Sequence, residues 1–255
     1  MQSSTKLIFI DLKLENILVG FEDKTVVEEF IKERSNHLME YKTDSTGRTV
    51  YRCHNNFGPL KKLMNLPKIV DFGLARQITD SNNVQTHPIQ PDHYRAPEVI
   101  LGCGWSFSAD IWNLGLLVWD IFERKELFHQ VKDDRGNYNA RAHLAEMIAL
   151  LGPPPTSLVR RCNTTLENTW TNPIKDDEGR PCNNAQELFG GPFFNKYGEF
   201  LYSDLIPDRK LHDTLPSLGE KDRELLLSFV RKMVCWLPED RSTARELIEH
   251  PFLKF

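Results

Sequence analysis

Several things are scarce in this 255-residue chain, and each scarcity excludes something. Its five cysteines, Cys53, Cys103, Cys162, Cys182 and Cys235, are odd in number and scattered, with no C-x-x-C pair. The usual zinc and dithiol spacings are therefore missing, and reduced thiols are expected rather than a disulfide framework. Long apolar runs are also missing. Residues 111–122 are the most hydrophobic stretch, but Asn113 and Asp120 interrupt it and it is too short to span a bilayer. The start carries no basic segment followed by an apolar one, so a secretory signal is not expected, and the reduced thiols point to a cytoplasmic or nuclear setting. Without such a signal the sequon at Asn163 is read as chance. Excess positive charge is absent too: the formal net charge is −4, so neither direct nucleic-acid nor membrane partners are expected. What remains, 40% hydrophobic and 27% charged residues, is an ordinary globular composition able to bury a sizeable core.

Periodicity organises the chain. Residues 7–10 and 17–19 read as short strands around a polar loop. Residues 21–66 form a polar segment with one helix at 25–33, whose Val26, Val27 and Phe30 face inward, followed by loop. Residues 68–70 read as a strand, and 74–93 as a long loop. Ser108 is the expected N-cap of a buried helix over 109–123, apolar nearly all round. Leu144, Met147, Ile148 and Leu151 mark an amphipathic helix over 139–151, stopped by Gly152 and three prolines. Residues 156–219 read as an irregular insertion. A helix over 222–237 turns Leu226, Phe229, Val230, Met233, Val234 and Leu237 to one face, and Thr243–Glu246 is a capping box opening the last helix. No internal repeat is evident, and the expected fold is mainly α with a small β patch.

Some polar residues have the makings of a phosphoryl-transfer site. Such chemistry needs positioning, metal ions that neutralise phosphates, and a carboxylate that orients the attacking hydroxyl. Asp11 supplies a carboxylate on a loop. Lys13 can place a cation by the transferring group. Asn16 offers a neutral oxygen to a hard cation. Asp71 is a second carboxylate, followed by Phe72 and by Gly73, which permits unusual backbone angles. D-L-x-x-x-N alone is a weak signal, since an exposed polar turn has the same letters. The order D-L-K-x-x-N (11–16), D-F-G (71–73), A-P-E (96–98) and D-x-W-x-x-G (110–115) is far stronger.

With that order the chain resembles the C-terminal lobe of a eukaryotic protein kinase over essentially its whole length. Residues 94–128, YRAPEVILGCGWSFSADIWNLGLLVWDIFERKELF, are similar to the SR-protein kinases, especially fungal ones. The resemblance implies a kinase-like C-lobe without the N-terminal β lobe over 1–255, with insertions at 21–66 and 156–219. It implies a serine/threonine kinase, present as a truncated chain, that uses ATP and Mg²⁺ on Arg/Ser-rich proteins. In that reading Asp11 is the catalytic base and Lys13 contacts phosphate. Asn16 and Asp71 hold Mg²⁺, so Lys13, Asn16 and Asp71 together form the nucleotide-metal contact. Phe72 and Gly73 support them, Glu98 pairs with a buried Arg241, and Asp110 holds the catalytic-loop backbone. A helix N-terminal position favoured by the dipole is the plainer account of Asp110.

The chain also departs from the family pattern. The family's H-R-D reads Phe9-Ile10-Asp11, so a hydrogen-bonding histidine and an arginine that grips an activation-loop phosphate are both replaced. Pro91 stands where many Ser/Thr kinases carry threonine. None of the 14 glycines forms G-x-G-x-x-G, and no V-A-I-K occurs. The competing reading is a non-catalytic, pseudokinase-like binding module. The acidic run Asp176-Asp177-Glu178 could attract arginine-rich substrates, but a solvated loop is the simpler expectation.

Overall fold

The computed structural model describes residues 7–21, 23–37, 39–54, 56–59, 66–78, 85–165 and 169–254. In chain order it has strand β1 (Leu7–Ile8), strand β2 (Ile17–Leu18), helix α1 (Thr25–Ser35), and strands β3 (Tyr41–Thr43), β4 (Thr49–Tyr51), β5 (Lys68–Ile69) and β6 (Arg76–Gln77). Then follow helices α2 (Pro97–Ile100), α3 (Ser108–Phe122), α4 (Ala140–Leu151) and α5 (Thr156–Thr165). Strands β7 (Ile174–Lys175) and β8 (Pro181–Cys182) precede helices α6 (Ala185–Phe189), α7 (Glu220–Val230) and α8 (Ala244–Ile248). Residues 15–70 form one compact unit; those up to 14 and from 71 onward form the main one. Parts of the loops expected at 34–66, 74–93 and 156–219 lie outside the described residues.

In the smaller unit β2 pairs antiparallel with β5, Ile17 opposite Ile69. The Val70 amide extends this ladder by donating to the Asn16 carbonyl at 2.9 Å. Val26, Val27 and Phe30 of α1 are only half-buried. Phe30 and Phe21 pack on Phe57, with centroids 4.4 and 4.7 Å away. The loop expected after α1 contains a hairpin instead, β3 against β4 with Lys42 opposite Val50. Its turn is built by Asp44, whose carboxylate accepts from the Thr46 and Arg48 amides at 2.9 and 3.0 Å, and by Gly47 at φ 81°. Only glycine takes that angle without strain. The alternation T-V-Y across a D-S-T-G turn was the available signal.

The main unit is helical around α3, with β1 and β6 as a two-residue antiparallel ladder, Ile8 opposite Arg76. Ala109, Trp112, Asn113 and residues 115–119 of α3 are buried, while Leu114 and Ile121 reach solvent. The helix is thus buried on most, but not all, of its circumference. Gly115 is a packing necessity: a Cβ there would sit 2.5 Å from the Val234 side chain. Ser108 is the first helical residue and not the cap, which falls on Phe107 without a side-chain bond. In α4, Asn139 is the cap, accepting from the Arg141 and Ala142 amides, and Gly152 at φ 78° ends the helix. Its buried face is His143, Leu144, Met147 and Leu150; Ile148 and Leu151 are half-buried.

The helix expected over 222–237 runs from Glu220 and stops at Val230. Its apolar face nevertheless continues, because Met233 and Val234 are buried on a tighter turn. The Lys232 carbonyl accepts from the Ser242 amide at 2.8 Å, and the Cys235 carbonyl accepts from Arg241. Those oxygens are therefore turned away from helical partners. Residues 156–219 are more regular than expected, with α5, the β7–β8 hairpin and α6. Leu158, Cys162, Phe193 and Leu215 from this stretch are buried in the main unit. The capping box at Thr243 and Glu246 is present at the start of α8. No helix among the described residues is long and apolar enough to cross a membrane.

Candidate active site

The loop carrying Asp11 is fixed from below. Asp110, in the first turn of α3, accepts hydrogen bonds from the Phe9 amide at 2.8 Å and the Ile10 amide at 3.0 Å. Burial pushes the Asp110 carboxyl above its ordinary pKa, and the two amides pull against that. Ile10 sits at φ 54°, a left-handed angle that a β-branched residue adopts only under constraint. Its side chain is buried, and so is that of Leu12. The loop is thereby pinned on both sides of Asp11. The Asp11 carboxylate lies 3.0 Å from the Lys13 ammonium, so the two charges occupy one small region.

Asp71 is also left-handed, at φ 61° and ψ 68°. Its carboxylate accepts from the Gly73 amide at 3.4 Å. The unusual backbone angle expected of Gly73 therefore belongs to Asp71. Gly73 contributes room instead, since a Cβ there would come within 3.3 Å of the Asp71 carboxylate. The Phe72 ring lies 5.1 Å from that of Phe9, which fills with an aromatic contact the place of a hydrogen-bonding side chain. Asn16 belongs to the smaller unit, while Asp11, Lys13, Asp71 and Asp110 belong to the main one. In the main unit Asp71 offers carboxylate oxygens, held by the Gly73 amide, and in the smaller unit Asn16 offers a neutral side-chain oxygen. Such donors suit a hard cation such as Mg²⁺ better than a softer metal.

Glu98 and Arg241 form a bidentate pair at 2.6 and 2.7 Å, with both side chains fully buried. Arg241 also donates to the Ser108 carbonyl at 2.9 Å and lies 4.9 Å over the Trp112 ring. The remaining donors of the guanidinium are thus used, as a buried charge requires. This joins the A-P-E segment, the start of α3 and the 235–241 turn.

Beside Asp11 opens a cleft of about 750 Å³, lined by Ile10, Asp11 and Lys13 and by a second wall of Gln85 and residues 87–91. That second wall is secured by residues that sequence reasoning did not single out. The Gln90 side chain, itself at φ 70°, donates to the Ala109 carbonyl and to Asn113 and accepts from the Ala96 amide. Trp105 donates to the His87 carbonyl at 2.7 Å, and Trp170 donates to the Thr86 carbonyl at 3.2 Å. The His87 ring stacks on Trp170 with centroids 5.4 Å apart. Arg95 donates to the Gln90 carbonyl at 3.1 Å, with its guanidinium 4.1 Å above the Tyr138 ring. Burial raises the Tyr138 hydroxyl to about 12. Nothing local marks Gln90 or Trp170, because their partners are distant in sequence. The acidic run is the turn of the β7–β8 hairpin: Asp176 accepts from Arg180 at 2.8 Å, and Arg180 also pairs with Glu178 at 3.1 Å. Much of its charge is answered locally.

A protein kinase domain model matches residues 3–253. A serine/threonine protein kinase of Aspergillus fumigatus is 34% identical over 188 residues, covering 74% of this chain and 40% of that protein. The serine/threonine-protein kinase SRPK of Physarum polycephalum is 30% identical over 203 residues, covering 76% of this chain and 40% of that protein. The chain thus spans about two fifths of the length of these curated relatives. A crystal structure of a kinase domain, 22% identical, superposes with a TM-score of 0.60 over 98% of this chain and 60% of that one, which establishes the fold. On the family match, the relatives and the shared fold, the chain belongs to the protein kinase domain family.

Proposed function

We propose that these residues form the C-terminal lobe of a serine/threonine kinase that transfers the γ-phosphoryl group of ATP to serine in Arg/Ser-rich proteins. The observation carrying this reading is the Asp11 loop, held at its strained neighbour Ile10 by Asp110 and opening onto a cleft of about 750 Å³. In this reading Asp11 accepts a hydrogen bond from the substrate hydroxyl and orients it toward the phosphorus. Lys13, 3.0 Å away, offsets negative charge as the bond to the leaving oxygen lengthens. Asp71 and Asn16 would hold Mg²⁺, which neutralises the phosphates when bound. Residues 85–91 supply the wall against which the peptide lies. The Arg/Ser preference rests on the similarity of residues 94–128 to SR-protein kinases and on the SRPK relative. Residues 21–66 and 156–219 are insertions in this scheme, and the place of action is the cytoplasm or nucleus.

A second reading, a kinase-derived module that docks protein without turnover, is favoured by Phe9 in place of histidine. One experiment separates the two. Calorimetry measures Mg·ATP binding to the purified chain, and radiolabel transfer is followed on an Arg/Ser peptide and on its Lys/Ser counterpart. Transfer that prefers the Arg/Ser peptide and disappears in Asp11→Asn supports the kinase reading. Peptide binding without ATP binding or transfer supports the docking module.

A further inference from the structure

We propose that His212, Glu220 and Glu224 form a binding site for a zinc-class transition-metal cation, separate from the cleft described above. The three ligands come from two elements. His212 lies in the short turn Leu211–Thr214, and Glu220 and Glu224 stand one helical turn apart on α7. The His212 Nε2 atom is 3.0 Å from Glu220 Oε1 and 3.6 Å from Glu224 Oε1, and the three donor atoms all lie within 4.8 Å of one another. A tetrahedral metal with bonds of roughly 2.0–2.2 Å holds its donors about 3.3–3.6 Å apart. The two histidine–glutamate distances bracket such an edge, and the whole set lies within 4.8 Å, so small side-chain shifts would bring all three donors onto one ion.

The groups behind the ligands are arranged as metal sites arrange them. The Asp213 carboxylate lies 3.2 Å from His212 Nδ1, which presents Nε2 toward the two glutamates. A carboxylate behind a ligating histidine fixes its tautomer and raises its basicity. Arg223 donates to the other oxygen of Glu220 at 3.2 Å, leaving Oε1 toward the histidine. The guanidinium is itself anchored on the Leu215 and Leu218 carbonyls at 3.1 and 2.8 Å. One imidazole and two carboxylates match zinc, nickel or copper better than Mg²⁺, which seeks all-oxygen octahedral surroundings. His212 is about one third exposed, so the remaining coordination positions go to water. Without metal, a proton on the imidazole serves the same carboxylates. Asp213, Glu220, Glu224 and Arg223 are the charged groups facing it, so metal and proton compete for one place.

The test uses the full chain, with excess Mg²⁺ and a non-thiol reductant, and no nucleotide or peptide; its outcome is thus independent of kinase activity. Zn²⁺ titration by calorimetry is expected to show one equivalent bound, weakening as pH falls from about 8 to about 6. His212→Ala and Glu224→Gln, both at solvent-reached positions, are expected to weaken binding by roughly tenfold or more. Asp213→Asn is expected to lose about tenfold through its effect on the histidine. Circular dichroism confirms that each variant is folded. Co²⁺ substituted for Zn²⁺ should give visible ligand-field bands without thiolate charge transfer. The site is refuted by no Zn²⁺ binding, by a His212→Ala variant that binds as the parent does, or by thiolate absorption assigning the metal to cysteine.

Discussion

At the scale of single residues, Glu98 carries a fully buried charge. Its carboxylate faces a guanidinium with no solvent on either side. Glu98→Ala would strand that charge, at an expected cost of about 3–5 kcal/mol in unfolding free energy. Urea denaturation measures it, and an unchanged midpoint would remove the pair from the account of stability. His143 gives a pH-dependent case. It is buried against Phe128 with Tyr138 at its Nδ1, and burial and nearby Arg95 hold its pKa well below the usual histidine value of 6.5. The unfolded chain takes up this proton near pH 6.5 and the folded one only far below it. The unfolded state therefore binds more protons in that window, and stability falls as pH drops through it, by about 1.4 kcal/mol per pH unit. Stability curves for the parent and for His143→Gln should diverge below that pH; parallel curves would show that His143 is not the titrating group. Motif order singled out Asp11, Lys13 and Asp71, and the family resemblance anticipated the Glu98–Arg241 pair that the structure contains. The left-handed angles of Ile10 and Asp71 and the bonding of Gln90 could not be read in this way, because contacts distant in sequence impose them.

At the scale of elements, helices with local signals were legible and those shaped by tertiary contacts were less so. The box at Thr243 is a short-range pattern and sits where the letters put it. Thr243→Ala should cost about 1 kcal/mol, read from thermal unfolding, and a loss near zero would mean that the α8 end is frayed. The apolar stripe of α7 continues past the helix end, since burial follows the stripe while the backbone follows Arg241 and Ser242. The hairpin over 41–51 was missed because strands of three residues give little periodicity. On α3, Gly115 explains how a helix approaches the 233–234 turn so closely. Gly115→Ala places a methyl within 2.5 Å of Val234 and should destabilise by about 1–3 kcal/mol, more than the gain in helix propensity returns. A more stable variant would show that the turn can retreat.

At the scale of the whole molecule, the chain matches the kinase model almost end to end, while spanning about two fifths of its curated relatives. Fold class was legible because four ordered motifs and a buried central helix agree. The cleft wall was not, since residues 85–91 have no pattern of their own and take their conformation from Trp105, Trp170 and α3. Asp110→Ala tests how far that architecture governs the site. It removes both acceptors beneath the Asp11 loop, so the Phe9 and Ile10 amides should exchange hydrogen at least tenfold faster while amides deep in α3 and α7 keep their protection. Uniform loss of protection would mean global unfolding, and no change would free the loop from Asp110.

The stacking of His87 on Trp170 has an optical consequence. Trp170 belongs to the 156–219 stretch and His87 to the cleft wall, so an imidazole lies against an indole only while that wall is in place. Indole emission responds to a stacked imidazole, which makes this contact a built-in fluorescent gauge. With Trp170→Phe as the blank, occupancy of the cleft by an unlabelled peptide becomes measurable in ordinary buffer, without nucleotide and without turnover.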